Sequence, residues 1–288
     1  MAKLHSDPIT AEDLSTYLET SDFQLELDVL NSLATRCARA SHGGTYTDPA
    51  TQKDRQYDLR AELIHGICTL KLAIECKNLK ANFPLLISRV PRTVMESYHE
   101  VILGRKNSLP VQSGDIFRAD GQIFRSREPV GKSATQVGKL PSERKQEGSQ
   151  IVSSDSETYD KWSQAIASTN ELISQCGHSS LGDDTVNAAV VQPVLVVPDQ
   201  TLWIVDYSAD GVITNTPRQT EECSLFLGKT VAAGHIKYRI SHLLIFTKSS
   251  FEQYLGKLQD NRSDEWENLF PDNHTLVNYE SGRPLRPR

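Results

Sequence analysis

The sequence predicts an α/β protein in which helices flank a mixed central sheet. Three observations carry this prediction. Two adjacent runs, RQYDLRAELI and CTLKLAIECK, alternate apolar and polar residues, as strands with one buried face do. The later runs VLVV and LLIF are apolar throughout, which is typical of central strands covered on both faces. Apolar residues also recur at helical spacing over about 22–39 and 158–176.

Two capping signals mark the first helices. Thr10 with Asp13, and Ser21 with Gln24, have the spacing of capping boxes. The second pair is the better match, and it opens the helix predicted over about 22–39.

The remaining elements follow from run length and turn residues. The two alternating strands form a hairpin if His65-Gly66 is the turn between them. The run FPLLISRV predicts a third strand, followed by a helix over about 92–103. The runs AAVVQPVLVVP, LWIVDY and YRISHLLIFT predict later strands, and a helix is expected over about 250–258.

Composition divides the chain into four regions. We expect the first half of the core over 1–105 and the second half over 158–260. Between them, residues 106–157 are rich in Ser, Gly, Gln, Lys and Pro, which predicts a polar, mobile insertion. Residues 261–288 read as a tail. A split into an N-terminal half and a C-terminal accessory half is the alternative organisation.

Composition also limits the class of protein. The chain has 288 residues, of which 38% are hydrophobic and 24% charged, enough for a packed core. No apolar run approaches the roughly 18 residues of a membrane span, and the N-terminus lacks a secretory signal. The five cysteines form no C-x-x-C pair, which favours reduced thiols over disulfides or a zinc site. We expect a cytoplasmic protein that does not enter a membrane.

One group of polar residues stands out on the predicted hairpin. With the turn at His65-Gly66, Asp58 lies opposite Ala73, and Glu75 is the diagonal neighbour of Asp58 on the same face, about 7–8 Å away. Lys77 projects from that face too, whereas the other face sends Leu and Ile into the core. The two carboxylates can therefore share one divalent cation, with a lysine beside them.

These residue types suit phosphate chemistry. Carboxylate oxygens are ligands for Mg²⁺, which typically binds through one or two carboxylates plus a phosphate. The cation can polarise a phosphate and lower the pKa of a bound water. A lysine can orient or deprotonate that water, or stabilise the charge that develops on phosphate.

The pattern D-x(n)-E-x-K on a hairpin, entered from a helix, resembles the PD-(D/E)xK superfamily of restriction-endonuclease-like nucleases. The segment IECK is similar to its third motif, although Tyr57 stands where many members have proline. The resemblance implies a restriction-endonuclease-like fold and a metal-dependent deoxyribonuclease, acting in restriction or defence, in some members as a homodimer. It implies that Asp58 and Glu75 bind Mg²⁺ or Mn²⁺, that Lys77 is the catalytic lysine, and that Glu26 on the first long helix completes the metal site.

Other polar residues are weaker candidates for the site. Gln164 is either a polar residue of the site or a solvated helix position. Arg60 and Glu62 share the face of Asp58, as supporting residues or as an ordinary cross-strand ion pair. The candidates for nucleic-acid contact, against the alternative of ordinary surface positions, are Arg89, Arg92, Arg125 and Arg127.

The charge balance favours a rival hypothesis. A formal net charge of −6 is unusual for a nucleic-acid-binding protein. The rival is a non-catalytic module that binds nucleic acid or a protein through the same fold. A hydrolase that uses His and Cys residues is a third class, and no spacing in the sequence supports it.

Overall fold

The computed structural model describes residues 7–105, 116–124, 128–140, 150–154, 156–176, 186–233, 236–260 and 264–270. The helices are α1 (Ala11–Leu18), α2 (Phe23–Ala34), α3 (Ser156–Gln175), α4 (Lys248–Gln259) and α5 (Glu265–Leu269), with a 3₁₀ turn at Val94–Ser97. The strands are β1 (Arg39–His42), β2 (Thr45–Thr47), β3 (Asp54–Gln56), β4 (Leu59–His65), β5 (Cys68–Cys76), β6 (Leu85–Pro91), β7 (Tyr98–Arg105), β8 (Ile116–Gln122), β9 (Pro129–Leu140), β10 (Gln150–Ser154), β11 (Val186–Val197), β12 (Leu202–Asp206), β13 (Arg218–Gln219), β14 (Glu222–Ala233) and β15 (Ile236–Thr247).

A large mixed sheet organises the molecule, as the sequence predicts. Among the described residues, thirteen strands join in the order β1-β4-β5-β11-β15-β14-β9-β6-β12-β13, with β10 added to β9 and β7 joining β11 to β8. Strand β11 is central because it runs parallel to both β5 and β15. The small pair β2-β3 stands apart from this sheet.

Helices cover both faces of the sheet. On one face, α2, α4 and α5 pack against Leu70, Leu72 and Ile74 of β5. On the other face, α3 packs against Ala73 of β5 and against alternate residues of β11. This double burial explains the continuous apolar run of β11, since every side chain from Ala188 to Val197 is buried. Strand β5 is also buried on both faces, from Cys68 to Cys76, although its alternating sequence predicts only one buried face.

The hairpin that carries the predicted site forms one residue later than expected. Its turn is Gly66-Ile67, where Gly66 has a φ of 58°, so that His65 pairs with Cys68. A tight hairpin turn needs a positive φ at its first central residue, which glycine supplies at no steric cost. Arg60, and not Asp58, is therefore the partner of Ala73. The register shifts by two residues, so the predicted faces are kept.

The sequence ranked the two predicted capping boxes in the wrong order. The complete capping box belongs to α1, where the side chains and backbone of Thr10 and Asp13 bond reciprocally. Helix α2 begins after Asp22 without a side-chain cap, and the Ser21 hydroxyl accepts a bond from the Phe23 N–H in place of the expected capping box. Helix α2 also ends at Ala34, five residues short of the expected end, because the chain turns there toward β1.

The helix expected over 92–103 is wrong. A capping box between Thr93 and Glu96 starts a single 3₁₀ turn, and the chain then continues as β7. Val101 and Ile102 are both buried but belong to clusters on opposite faces of the sheet. Two successive residues point to opposite sides only in a strand, and pairing with β11 and β8 overrides the local helical signal.

Part of the segment expected as a mobile insertion is regular strand. Within 106–157, the structure describes β8, β9 and β10, and β9 lies inside the large sheet between β6 and β14. The polar composition of β9 led to the wrong prediction, because Val130 and only a few other side chains of this strand face a core. Of the expected tail, the structure describes residues 264–270, which contain helix α5, whereas 261–263 and 271–288 lie outside the described residues.

Candidate metal centre

The carboxylates of Asp58 and Glu75 converge at one end of the hairpin. Asp58 lies at a bend just before β4, and Glu75 is the last but one residue of β5. Because Leu59 pairs with Ile74, Asp58 sits at the level of Glu75. The Cys76 backbone N–H donates a hydrogen bond of 2.9 Å to Asp58 Oδ2, which fixes the carboxylate against β5.

Glu75 is a buried acid without a hydrogen-bonding partner. Its side chain is 0% exposed, and neither carboxylate oxygen has a hydrogen-bond partner among the described residues. Burial raises the pKa of Glu75 to about 9, and the negative charge of Asp58 adds to the effect. The ionised form of such a buried carboxyl is costly unless a cation lies beside it.

The cation found beside this pair is Lys161 of α3. Its Nζ lies 3.0 Å from Asp58 Oδ2 and 3.7 Å from Glu75 Oε2. Burial alone would lower the pKa of Lys161, but the charges of Asp58 and Glu75 outweigh it and raise the pKa. The two carboxylates thus share one positive charge, supplied by a helix on the opposite side of the cleft from α2.

Lys77 lies beside Asp22 at the start of α2. Its Nζ is 4.0 Å from Asp22 Oδ2, which is also 3.6 Å from Lys161 Nζ. Asp22 Oδ1 accepts a 2.7 Å hydrogen bond from the Asn78 backbone N–H, so the end of β5 is tied to α2. Asp22 is therefore an acidic residue that links both lysines of the centre.

Glu26 reaches the same cleft from α2 but is engaged by His42. Glu26 Oε2 lies 2.9 Å from His42 Nε2, and both side chains are largely buried. Within the described residues, no set of three or more Asp, Glu, His or Cys side chains is arranged to hold a metal ion. The expected trio of Glu26, Asp58 and Glu75 does not form such a set: Glu26 and Asp58 line one cavity, whereas Glu75 is buried. Lys161 is the ion-pair partner of Asp58, and His42 is the partner of Glu26.

A cavity of about 470 Å³ opens at this centre. Its walls combine charged and polar side chains with one aromatic ring, from Phe23, Glu26, Arg55, Gln56, Asp58, Lys161 and Gln164. Gln164 is one helical turn beyond Lys161, so both project from one face of α3. Gln164 is therefore a wall residue of the cavity.

Arg60 and Glu62 have different partners. Glu62 forms an ion pair with Lys71, which lies directly opposite on β5, and a second one of 3.6 Å with Arg39. Arg60 is buried and donates to Glu171 Oε2 at 2.8 Å and to the Ser168 carbonyl at 3.1 Å. Glu62 is a member of a cross-strand ion pair, whereas Arg60 anchors α3 to the hairpin.

The candidate arginines lie away from the cavity. Arg89 forms two hydrogen bonds of 2.7 and 3.0 Å with the carboxylate of Asp206. Arg92 is 6% exposed and donates to His242 Nε2 at 2.6 Å and to Ser224 Oγ at 2.9 Å. Internal contacts thus occupy both guanidinium groups. The other two, Arg125 and Arg127, lie outside the described residues.

The cysteine nearest the centre is a poor nucleophile. Cys76 follows Glu75 and points to the opposite face, where it is fully buried. Burial raises the pKa of its thiol well above the ordinary value, and the charges of Asp58, Glu26 and Glu75 add to this. Since the thiolate is the reactive form, thiol chemistry has no support at this site.

Sequence reasoning missed Lys161, Asp22 and His42. Lys161 carries a weak signal, since it shares a helix face with Gln164, which the sequence did single out. Asp22 is signalled only as an acidic residue at a helix start. His42 has no sequence signal, because its role depends on the pairing of β1 with β4.

No family model, curated protein or solved structure matches the chain. Within the described part of the chain, no helix combines the length and apolar character needed to cross a bilayer. The interpretation of the centre therefore depends on its own geometry.

Proposed function

We propose that the chain is a divalent-metal-dependent nuclease of the PD-(D/E)xK type, which hydrolyses phosphodiester bonds in DNA. The observation that carries the proposal is the convergence of the Asp58 and Glu75 carboxylates on one cation. Two acids, one of them fully buried and without a hydrogen bond, form a costly arrangement for a structural protein. The arrangement suits a site that binds a metal ion.

The donor set fits magnesium or manganese. Asp58 and Glu75 supply hard oxygen ligands, and Mg²⁺ commonly takes only one or two carboxylates from the protein. Glu26, on the facing wall of the cavity, would add a third oxygen donor once it leaves His42. The bound ion would supply a polarised phosphate and a more acidic water.

The two lysines fit the remaining needs of phosphodiester hydrolysis. Lys77 follows Glu75 by two residues, as in the E-x-K motif, and would orient the attacking water or stabilise charge on the phosphate. Arg55 and Gln164 on the cavity wall offer further donors to phosphate oxygens. The cavity of about 470 Å³ has room for a nucleotide phosphate and its sugar.

The order of elements supports a restriction-endonuclease-like fold. Helix α2 precedes strands β1, β4 and β5, which form an antiparallel set with Asp58 and Glu75 at one end. Helix α3 then leads into β11, which pairs in parallel with β5. This core places a helix from each side of the sheet next to the carboxylate pair.

Cleavage assays test the proposed activity. The full chain is incubated with supercoiled plasmid, linear duplex and single-stranded DNA, with Mg²⁺, Mn²⁺ or EDTA. We expect metal-dependent cutting that Asp58→Asn lowers about 1,000-fold, since it removes a metal ligand. Lys77→Ala should lower the rate about 100-fold or more at saturating metal.

Asp210→Asn is the matched control, because Asp210 is an exposed acid on a distant turn. It should cut like the wild type. If purified wild-type protein cuts none of the substrates with either metal, the enzyme proposal fails. Binding of DNA without cutting would then favour the non-catalytic module, for which the engagement of Glu26 by His42 is the supporting observation.

A further inference from the structure

Lys161 occupies the position of a bound cation between the carboxylates. Its ammonium lies within 4 Å of three acidic side chains, at 3.0 Å from Asp58, 3.7 Å from Glu75 and 3.6 Å from Asp22. Only 19% of the side chain is exposed, so solvent screens these contacts weakly. Of these acids, Glu75 is the one with no hydrogen bond, and the ammonium of Lys161 lies beside its carboxyl group.

The backbone of α3 holds Lys161 at this place. Arg60 of β4 bonds to Glu171 and to the Ser168 carbonyl, and the Tyr46 hydroxyl donates to the Gln164 carbonyl at 3.4 Å. Ile166 and Ile173 on the inner face of the helix are buried against the sheet. The helix is therefore a fixed support, and the flexible part is the four-carbon stem of the lysine.

We propose that Lys161 is a tethered counter-ion that competes with the divalent metal for the carboxylates of Asp58 and Glu75. This inference depends on the proposed function, because it concerns the same metal site. In the metal-free protein the ammonium neutralises the pair. When the metal binds, the ammonium leaves the carboxylates and turns into the adjoining cavity.

Two physical arguments support this exchange of the ammonium for the metal ion. Magnesium binds carboxylate oxygens at about 2.0–2.1 Å, so an ammonium 3.0 Å from the same oxygen and a metal ion would repel each other strongly. Lys161 also lines the cavity of about 470 Å³, so its side chain can move there without displacing α3. In that cavity the ammonium would meet a phosphate group of the substrate, which makes Lys161 a positioning residue for both metal and DNA.

The proposal predicts a gain of metal affinity from the loss of a positive charge. Lys161→Met removes the ammonium and keeps the length and apolar stem of the side chain. Without a competitor, the full chain should bind Mn²⁺ at least tenfold more tightly in the absence of DNA. Lys161→Arg keeps the charge and should bind Mn²⁺ no more tightly than the wild type.

Isothermal titration calorimetry with Mn²⁺ alone measures these affinities. Lys229→Met, at an exposed position of β14, is the control for loss of a remote lysine and should bind like the wild type. Asp58→Asn in the Lys161→Met background should remove the binding. If Lys161→Met does not fold, Lys161→Gln replaces it under the same criterion.

The outcomes separate the two proposals. A folded Lys161→Met protein that binds Mn²⁺ with wild-type or lower affinity overturns the tethered counter-ion, because a residue of merely structural importance would weaken the site when lost. The nuclease proposal stands in that case if the wild type still cuts DNA with metal. A tenfold gain that Asp58→Asn removes supports the exchange even in a protein that cuts nothing.

Discussion

At the scale of single residues, the electrostatic state of the centre depends on Glu75. Its side chain is fully buried beside Asp58, and these surroundings raise its pKa to about 9 from an ordinary value of 4.5. Near neutral pH the metal-free protein therefore keeps a proton on Glu75. Unfolding releases this proton to solvent, since the carboxyl of the unfolded chain is ionised there.

This difference predicts the sign of a pH effect on stability. Between about 4.5 and 9 the folded state binds one more proton at Glu75 than the unfolded state does. The contribution of Glu75 to stability is therefore complete below pH 4.5 and is lost as pH rises toward 9. The loss amounts to at most about 1.4 kcal/mol per pH unit.

Glu75→Gln isolates this contribution. The amide mimics the protonated acid and cannot ionise, so the free energy of unfolding of the variant should lack the slope. Urea denaturation in EDTA at pH 6, 7 and 8 measures the difference between variant and wild type. The free energy of unfolding of Glu75→Gln should increase relative to that of the wild type as pH rises. Asp210→Asn, which changes an exposed acid, should show the same pH dependence as the wild type. A difference that stays constant over these pH values would contradict the protonated state of Glu75.

The sequence predicted the residues of the hairpin and missed those that come from elsewhere. The faces of Asp58 and Glu75 follow from strand alternation, which survives a shift of two residues in the register. Lys161 comes from a helix 86 positions after Glu75 in the chain (161 − 75 = 86), and no local spacing connects them. Its place in the site is set by the docking of α3, through contacts such as Arg60 with Glu171.

At the scale of elements, strand β9 joins two parts of the large sheet. It pairs with β6 along most of its length but meets β14 at one position, where Gly131 faces Leu225. A Cβ on Gly131 would lie 2.9 Å from the Ser224 carbonyl oxygen and 2.7 Å from a methyl group of Ile87. Glycine is therefore required for the close approach of the two strands.

A substitution at this junction should be costly. Gly131→Ala should lower the free energy of unfolding by about 1–3 kcal/mol, because Ile87 is fully buried and the Ser224 carbonyl is part of the backbone. Gly256 in α4 is the matched control, since a Cβ there meets nothing within 4 Å. Gly256→Ala should raise stability by about 0.5–1 kcal/mol through better helix propensity.

Thermal and urea denaturation of the two variants measure these opposite changes. Equal stability of wild type and Gly131→Ala would mean that the strands separate at this position without cost. The sequence gives no hint of the junction, because residues 129–140 lack the apolar pattern of an inner strand. Strand β9 is polar because its neighbours, and not its own side chains, supply most of the buried apolar surface around it.

At the scale of the whole molecule, the two halves of the chain are interleaved in the sheet. Strand β5 from the first half pairs with β11 from the second, and β6 from the first half pairs with β12 from the second. A core cluster that contains Ile87, Leu225 and Leu243 spans the junction at β9. A division into an N-terminal nuclease half and a C-terminal accessory half would therefore cut strands from their partners.

Interleaving predicts that the described core unfolds in one transition. The three tryptophans report on separate places, since Trp162 lies in α3, Trp203 in β12 near one edge of the sheet and Trp266 in α5. Variants that keep one tryptophan each, with phenylalanine at the other two positions, should show the same urea midpoint by fluorescence and by circular dichroism. Strand β12 connects to the carboxylate side of the sheet through β6 and β9, and β9 pairs with β14 at one position. Trp203 is therefore the probe most sensitive to a division of the sheet at that position. An earlier midpoint for Trp203 alone would show that the sheet divides at Gly131. The proposed metal site would then belong to a smaller folding unit formed by α2, α3 and the strands β1, β4, β5, β11, β15 and β14.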